Sequence, residues 1–212
     1  MTERSNTLRS RIIGWYNVQQ VYMPEAAILR KKGGTASNTG AAELLPQHLP
    51  LYLPSSIISH IPCNIKIADF EFRLRYAQAN DALNSLRHHL RLRSHLWTFK
   101  TRFERGQRPS TRARNVIERT TQKIANVAKI YRDARNALVH LSPLLGKVGW
   151  EITLRVLEDK DIRAITEDER DMDPAVRRRS EHRSEGRRMT SWIWTTPGVS
   201  ADECIDLHDS MC

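Results

Sequence analysis

Cysteine is scarce in this chain. Cys63, Cys204 and Cys212 are the only three among 212 residues. An odd, widely spaced set of this kind excludes a disulfide framework and points to a reducing compartment, nuclear or cytoplasmic. Long apolar runs are missing as well. No stretch approaches the roughly 20 residues that cross a bilayer, and Met1 to Arg11 is polar where a signal peptide carries its apolar segment. Neither a membrane nor secretion is therefore expected. The sequence contains no GxxxxGK[ST] and no GxSxG. Gly33-Gly34 follows Arg30, Lys31 and Lys32 but leads into no Lys-Ser/Thr pair, so it reads as a loop. No enzyme, cofactor or metal is expected.

What the chain does have is positive charge, and it has it in one place. The formal net charge is +10. From Lys66 to His140 there are 17 Lys and Arg against 6 Asp and Glu, a net of +11 that leaves the remainder near neutral. A basic segment of this kind suits nucleic acid or another polyanion. Arginine dominates it, and the planar guanidinium fork matches phosphates and carboxylates.

Periodicity places that charge on helices. Phe72, Tyr76, Ala79, Leu83, Leu86, Leu90 and Trp97 follow a 4-3-4-3-4-7 spacing. Asn64 is a good cap before them, Asp69 and Glu71 suit the positive end of the dipole, and Gly106 is a natural stop. After a short turn from Arg105 to Pro109, Ser110 can cap a second helix. Its apolar positions, Ala113, Ile117, Thr120, Ile124, Val127, Tyr131, Ala134, Leu138 and Leu141, alternate 4-3 without a miss. Val116, Ile130 and Ala137 widen that stripe and predict a third element lying across the pair. The short connection makes the two helices antiparallel neighbours.

The predicted fold is mostly α: a long, coiled-coil-like antiparallel helical hairpin with irregular Pro-rich and charged flanks. Residues 1–32 form an N-terminal helical segment with Leu8, Ile12, Ile13, Trp15, Tyr16 and Val21 on its apolar face, and Pro24 opening a new turn. Residues 33–63 are a Pro/Gly-rich linker, extended and covering the helices. Residues 64–141 are the basic hairpin. Residues 142–195 begin with a loop from Ser142 to Gly149, carry mixed charge and end in SWIW. Residues 196–212 are a tail.

The residues that could carry chemistry reduce to the arginines. Arg87, Arg91, Arg102, Arg105, Arg108, Arg112, Arg114 and Arg119 cluster toward the turn end of the hairpin, where a polyanion could meet them. On the second helix they are spread around the barrel rather than confined to one stripe. The carboxylates from Glu158 to Asp173 lack strands to hold them around metals and read as an acidic linker. His88, His89 and His95 lack a fourth ligand and read as surface histidines; Cys204, His208 and Cys212 are aligned by a helix but also lack one. Trp192 and Trp194 read as a packing anchor.

Several stretches resemble one family. EFRLRYAQANDALNSLRHHLRLR (Glu71 to Arg93), STRAR (Ser110 to Arg114), IYRDARNAL (Ile130 to Leu138) and SEGRRMTSWIW (Ser184 to Trp194) look like the C-terminal region of fungal KDZ (Kyakuja–Dileera–Zisupton) transposase-like proteins. LPLYLPSSI (Leu49 to Ile57) and WYNVQQVYMPEAAILR (Trp15 to Arg30) resemble the part before it. The resemblance implies a non-catalytic helical accessory region, a fragment of a longer protein whose ribonuclease-H-like core and cysteine-rich zinc module lie upstream. It carries no catalytic residue onto this chain. The partners it implies are nucleic acid, other transposase regions or a second copy; the alternative is a stand-alone coiled-coil interaction module with no DNA role.

Overall fold

The structure, a computed structural model, describes residues 2–36, 45–59, 61–103, 107–164 and 191–196. The elements are α1 (Thr2–Tyr22), α2 (Pro24–Ala36), α3 (Pro54–Ile57), α4 (Ile65–Phe103), α5 (Gln107–Leu145) and α6 (Trp150–Thr153), with 3₁₀ turns at Pro46–His48, Asp159–Asp161 and Trp192–Trp194. The described residues contain no strand, and α4 and α5 pack against each other as the expected helical hairpin. Each is 39 residues long, about 60 Å at 1.5 Å per residue. No helix among the described residues is long and apolar enough to cross a membrane.

The chain divides into two compact units: Met1–Leu74 with Ala137–Lys147, and Arg75–Asn136 with Val148–Cys212. In the first, α1 and α2 meet at Met23, whose N–H donates to Gln19 O at 2.7 Å and whose carbonyl accepts from Ala26 N at 3.1 Å. Pro24 opens α2, where the N–H it lacks would have no partner. The Pro-rich stretch lies along α1. Tyr16 Oη donates to Pro50 O at 2.8 Å, and the buried Gln19 donates through Nε2 to Leu51 O and Tyr52 O. Those bonds hold Tyr52 in the left-handed region, at φ 48°, a conformation costly for a bulky residue. Arg30 fixes Gln19 from the other side, donating to Oε1 at 2.6 Å while lying over the Tyr16 ring. Met23, Ala26 and Ile57 form a small core with Leu29, Tyr52, Cys63 and Ile67 packed on it.

Five local expectations change here. Gly33-Gly34, read as a loop, is instead part of α2, which runs to Ala36. Asn64 does cap α4, accepting from Lys66 N at 2.9 Å. Glu71 and Asp69, however, do not serve the α4 dipole alone. The buried Glu71 carboxylate accepts from Ser55 N and Ser55 Oγ at the start of α3, and Asp69 pairs with Lys147. The second helix begins at Gln107 rather than after Ser110, with Pro109 tolerated in its first turn. It also continues through Ser142 to Leu145, where a loop was expected. Pro143 costs the helix one N–H donor, and Ser142 Oγ approaches the Val139 carbonyl that this donor would have reached. Gly146, at φ 62°, then ends the helix as Lys147 N bonds back to Ser142 O. The single apolar face predicted for the N-terminal segment also splits: Ile12 is buried, Tyr16 is half-buried, and Leu8, Ile13, Trp15 and Val21 are exposed.

The second unit contains the longer part of the hairpin. Ala79, Leu83, Leu86 and Leu90 of α4, and Ile117, Thr120, Ile124, Tyr131 and Ala134 of α5, are buried as their spacing predicts. Val116 and Ile130 do not join that seam; each is 44% exposed. The element lying across is a strap, residues 148–164, together with the SWIW turn. It contributes buried Trp150, Leu154, Leu157, Ala164 and Ile193.

Candidate nucleic-acid interface

The strap has no sheet ladder to satisfy its carbonyls, so side chains of α5 do it. Tyr131 Oη donates to Arg155 O at 2.6 Å, Arg135 Nε to Leu154 O at 3.0 Å and Arg132 Nε to Leu157 O at 3.0 Å. Arg132 also pairs with Asp159 at 2.6 Å, and Arg135 lies over the Trp150 ring. Burial raises the Tyr131 hydroxyl pKa, against the opposing pull of Arg135. Asp159, its side chain 92% exposed, stays solvated as read for the acidic run while it pairs with Arg132.

SWIW is held from α4. Arg87 donates through Nε to Ile193 O, through Nη2 to Thr196 O and through Nη1 to Asn84 Oδ1. Burial, with Arg91 adding to it, lowers the Arg87 pKa from its ordinary value. One turn on, Arg91 stacks over the Trp194 ring at 5.1 Å. Trp194 Nε1 donates to Arg163 O at 2.9 Å, and Trp192 packs against Tyr131 with centroids 6.1 Å apart. Ser191 Oγ and Trp192 Nε1 are buried without a hydrogen-bond partner among the described residues.

These contacts sort the eight predicted arginines. Arg87 and Arg91 form a clamp on SWIW rather than a free polyanion surface. Arg102, Arg112, Arg114 and Arg119 are exposed. Arg105 and the side chain of Arg108 lie outside the described residues. At about 100° per residue, Arg112 and Arg119 fall within about 20° of one another on α5, whereas Arg114 is about 160° away. Arg112 and Arg119 therefore form a short row on one face, while the arginines of α5 as a set stay spread around the helix. The exposed Lys123 extends that row, about 16 Å along the axis from Arg112.

Sequence reasoning missed Lys123 and read His89 as a surface histidine, whereas it is half-buried. The signal was angular position rather than residue type. Burial, with the nearby charges of His88 and of Lys123 on α5, lowers the pKa of His89 on α4. His89 is half-buried, and its Nδ1 has no hydrogen-bond partner among the described residues. Between Ala82 and Phe103, and between Gln107 and Arg132, Glu118 is the one acidic residue. It points about 100° or more away from Arg119 and Arg112 on the α5 wheel. The Arg112–Arg119–Lys123 row is thus a cationic edge with the reach of roughly five duplex steps at 3.4 Å each.

No group of three His, Cys, Asp or Glu among the described residues is placed to hold a metal ion. Cys204, His208, Cys212 and the acidic residues from Glu167 onward lie outside the described residues. No protein-family model, curated protein or solved structure matches this chain.

Proposed function

We propose that this chain is the non-catalytic helical accessory region of a KDZ transposase-like protein, acting in the nucleus or cytoplasm as a scaffold that also contacts nucleic acid. One observation carries the reading. Stretches that resemble the family at distant positions meet in one unit: Arg87 and Arg91 from the first, Tyr131 from the third and Trp192–Trp194 from the last. Arg87 and Ile193 are 106 residues apart. Stretches that depend on one another for packing form one accessory module, and Arg112 and Arg119 give that module its edge for phosphate.

A gel shift with duplex DNA tests the nucleic-acid role. Retardation at low salt that fades as salt rises is expected. Replacing Arg112, Arg119 and Lys123 together by Ala should flatten the log–log salt dependence by nearly three, at about 0.9 per phosphate contact. Absence of retardation at low salt removes the role. A ribonuclease-H-like reading frame upstream in the genome would support the family assignment, and unrelated flanking sequence would count against it. The exposed Val116 and Ile130 favour a second reading, a coiled-coil interaction module that associates through α5 and ignores DNA.

A further inference from the structure

The first helix carries two seams. Ser5, Arg9, Ile12, Tyr16, Gln19 and Met23 follow a 4-3-4-3-4 spacing and form the inner one, where every residue is half-buried or buried. Tyr16 and Gln19 on it hold the Pro-rich stretch. One residue earlier runs a second 4-3-4-3-4 series: Arg4, Leu8, Arg11, Trp15, Val18 and Tyr22. All six are exposed, with Leu8 and Trp15 at 42%, Val18 at 53% and Tyr22 at 65%. A one-residue offset rotates the outer seam by about 100° from the inner one. Helices with heptad seams on two sides are built to be contacted on two sides.

The composition of the outer seam selects its occupant. In a parallel pair of copies, each seam residue faces itself, which sets Arg4 against Arg4 and Arg11 against Arg11. In an antiparallel pair centred between Arg11 and Trp15, the layers become Arg4 with Tyr22, Leu8 with Val18, and Arg11 with Trp15. Every cation then lies against an aromatic ring and the apolar pair closes on itself. The chain already uses this pairing: Arg30 lies over Tyr16, Arg91 over Trp194 and Arg135 over Trp150. Thr7, Gly14 and Val21 flank the seam and carry no charge, so they add no repulsion across a two-fold axis.

We infer that α1 pairs with the α1 helix of a second copy, antiparallel and two-fold symmetric, through Arg4, Leu8, Arg11, Trp15, Val18 and Tyr22. The face is narrow for a protein interface, so the dimer is reversible rather than obligate. The inference does not depend on the proposed function. The first helix lies outside the Arg–Trp clamp and outside the cationic row on α5.

Two experiments on the full chain test it. Sedimentation equilibrium over a wide concentration range should show the mass rising toward twice that of the monomer. Trp15→Ala and Arg11→Gln, both at exposed positions, should each weaken association about tenfold without moving the melting temperature. Val116→Gln with Ile130→Gln should leave it unchanged. For orientation, Cys63, Cys204 and Cys212 are replaced by Ser, and single-cysteine chains Leu8→Cys and Val18→Cys are mixed under oxidation. The antiparallel register predicts mixed Leu8→Cys/Val18→Cys disulfides and few disulfides between identical chains. A chain that stays monomeric at every concentration overturns the inference, whether or not it binds anionic vesicles. So does dimerisation lost on changing Val116 and Ile130, or crosslinking dominated by Leu8→Cys with itself.

Discussion

The second helix of the hairpin and the first helix of the chain carry the same 4-3 spacing and put it to opposite use. On α5 the series is closed: Ile117, Thr120, Ile124, Tyr131 and Ala134 are buried and Val127, between them, is half-buried. On α1 the outer series Leu8, Trp15, Val18 and Tyr22 is open. Spacing therefore identifies a seam without saying what fills it. Seam chemistry supplies the difference. The closed seam carries small and aliphatic residues, plus polar groups with internal partners: Thr120 Oγ1 donates to Val116 O and Tyr131 Oη to Arg155 O. The open seam places two arginines where a closed seam would have to bury them. An unpaired buried charge costs far more than two helices in contact return.

The largest way to break this comparison is to insert a carboxylate into each seam. Ile124 is 3% exposed. Ile124→Asp removes its apolar burial and strands a charge, a loss of about 3–5 kcal/mol, enough to unfold a domain of ordinary stability. Leu8→Asp on the open seam should change folding stability by about 0.5 kcal/mol or less. Thermal melts followed by circular dichroism decide between the two. Equal losses would mean that α1 is closed after all, and an unchanged Ile124→Asp melt would remove the hairpin core.

The closed seam was legible because its pattern is clean over nine positions and carries no charge, so no partner had to be known to see it. The helix bounds were less so. Ser110 read as a boundary because serine prefers caps, and Ser142 read as the start of a loop, but Pro109 sits harmlessly in a first turn and Gly146 supplies the actual stop. The α1 seams were not separable in sequence: Ile12 and Ile13, or Trp15 and Tyr16, are neighbours of similar polarity that face about 100° apart. The clamp was illegible for another reason. Arg87 and Arg112 are the same residue type in similar surroundings, and what separates them is the Ile193 and Thr196 carbonyls, which have no sequence signature. The charge count could locate a basic region but could not divide its arginines into a clamp and a phosphate edge.

A smaller test contrasts two arginines. Arg87→Ala deletes charge-assisted bonds to two carbonyls from a half-buried site, a loss of about 1–2 kcal/mol after allowance for solvent screening. The SWIW turn should loosen, and tryptophan emission should shift to the red. Arg11→Ala on the open seam should leave the monomer's melting temperature where it is. If Arg87→Ala changes neither melt nor emission, SWIW is held by apolar packing alone and the clamp contributes nothing.

The smallest effect concerns two tyrosines. Tyr131→Phe loses one hydrogen bond to Arg155 O, about 1 kcal/mol at neutral pH, while Tyr22→Phe on the open seam should cost nothing measurable. The pH dependence sharpens the contrast. Burial raises the Tyr131 pKa in the folded chain. Above about pH 10, the usual tyrosine value, the unfolded chain releases this proton and the folded chain retains it. The folded state then binds more protons, so stability falls as pH rises. The contribution is whole below about pH 10 and is lost progressively above it. The phenylalanine of the variant cannot ionise, so urea unfolding of wild type and Tyr131→Phe should converge as pH climbs past that point. A gap that stays constant would mean that the Tyr131 hydroxyl meets solvent equally in both states, and the α5 seam would then be as open there as the outer seam of α1.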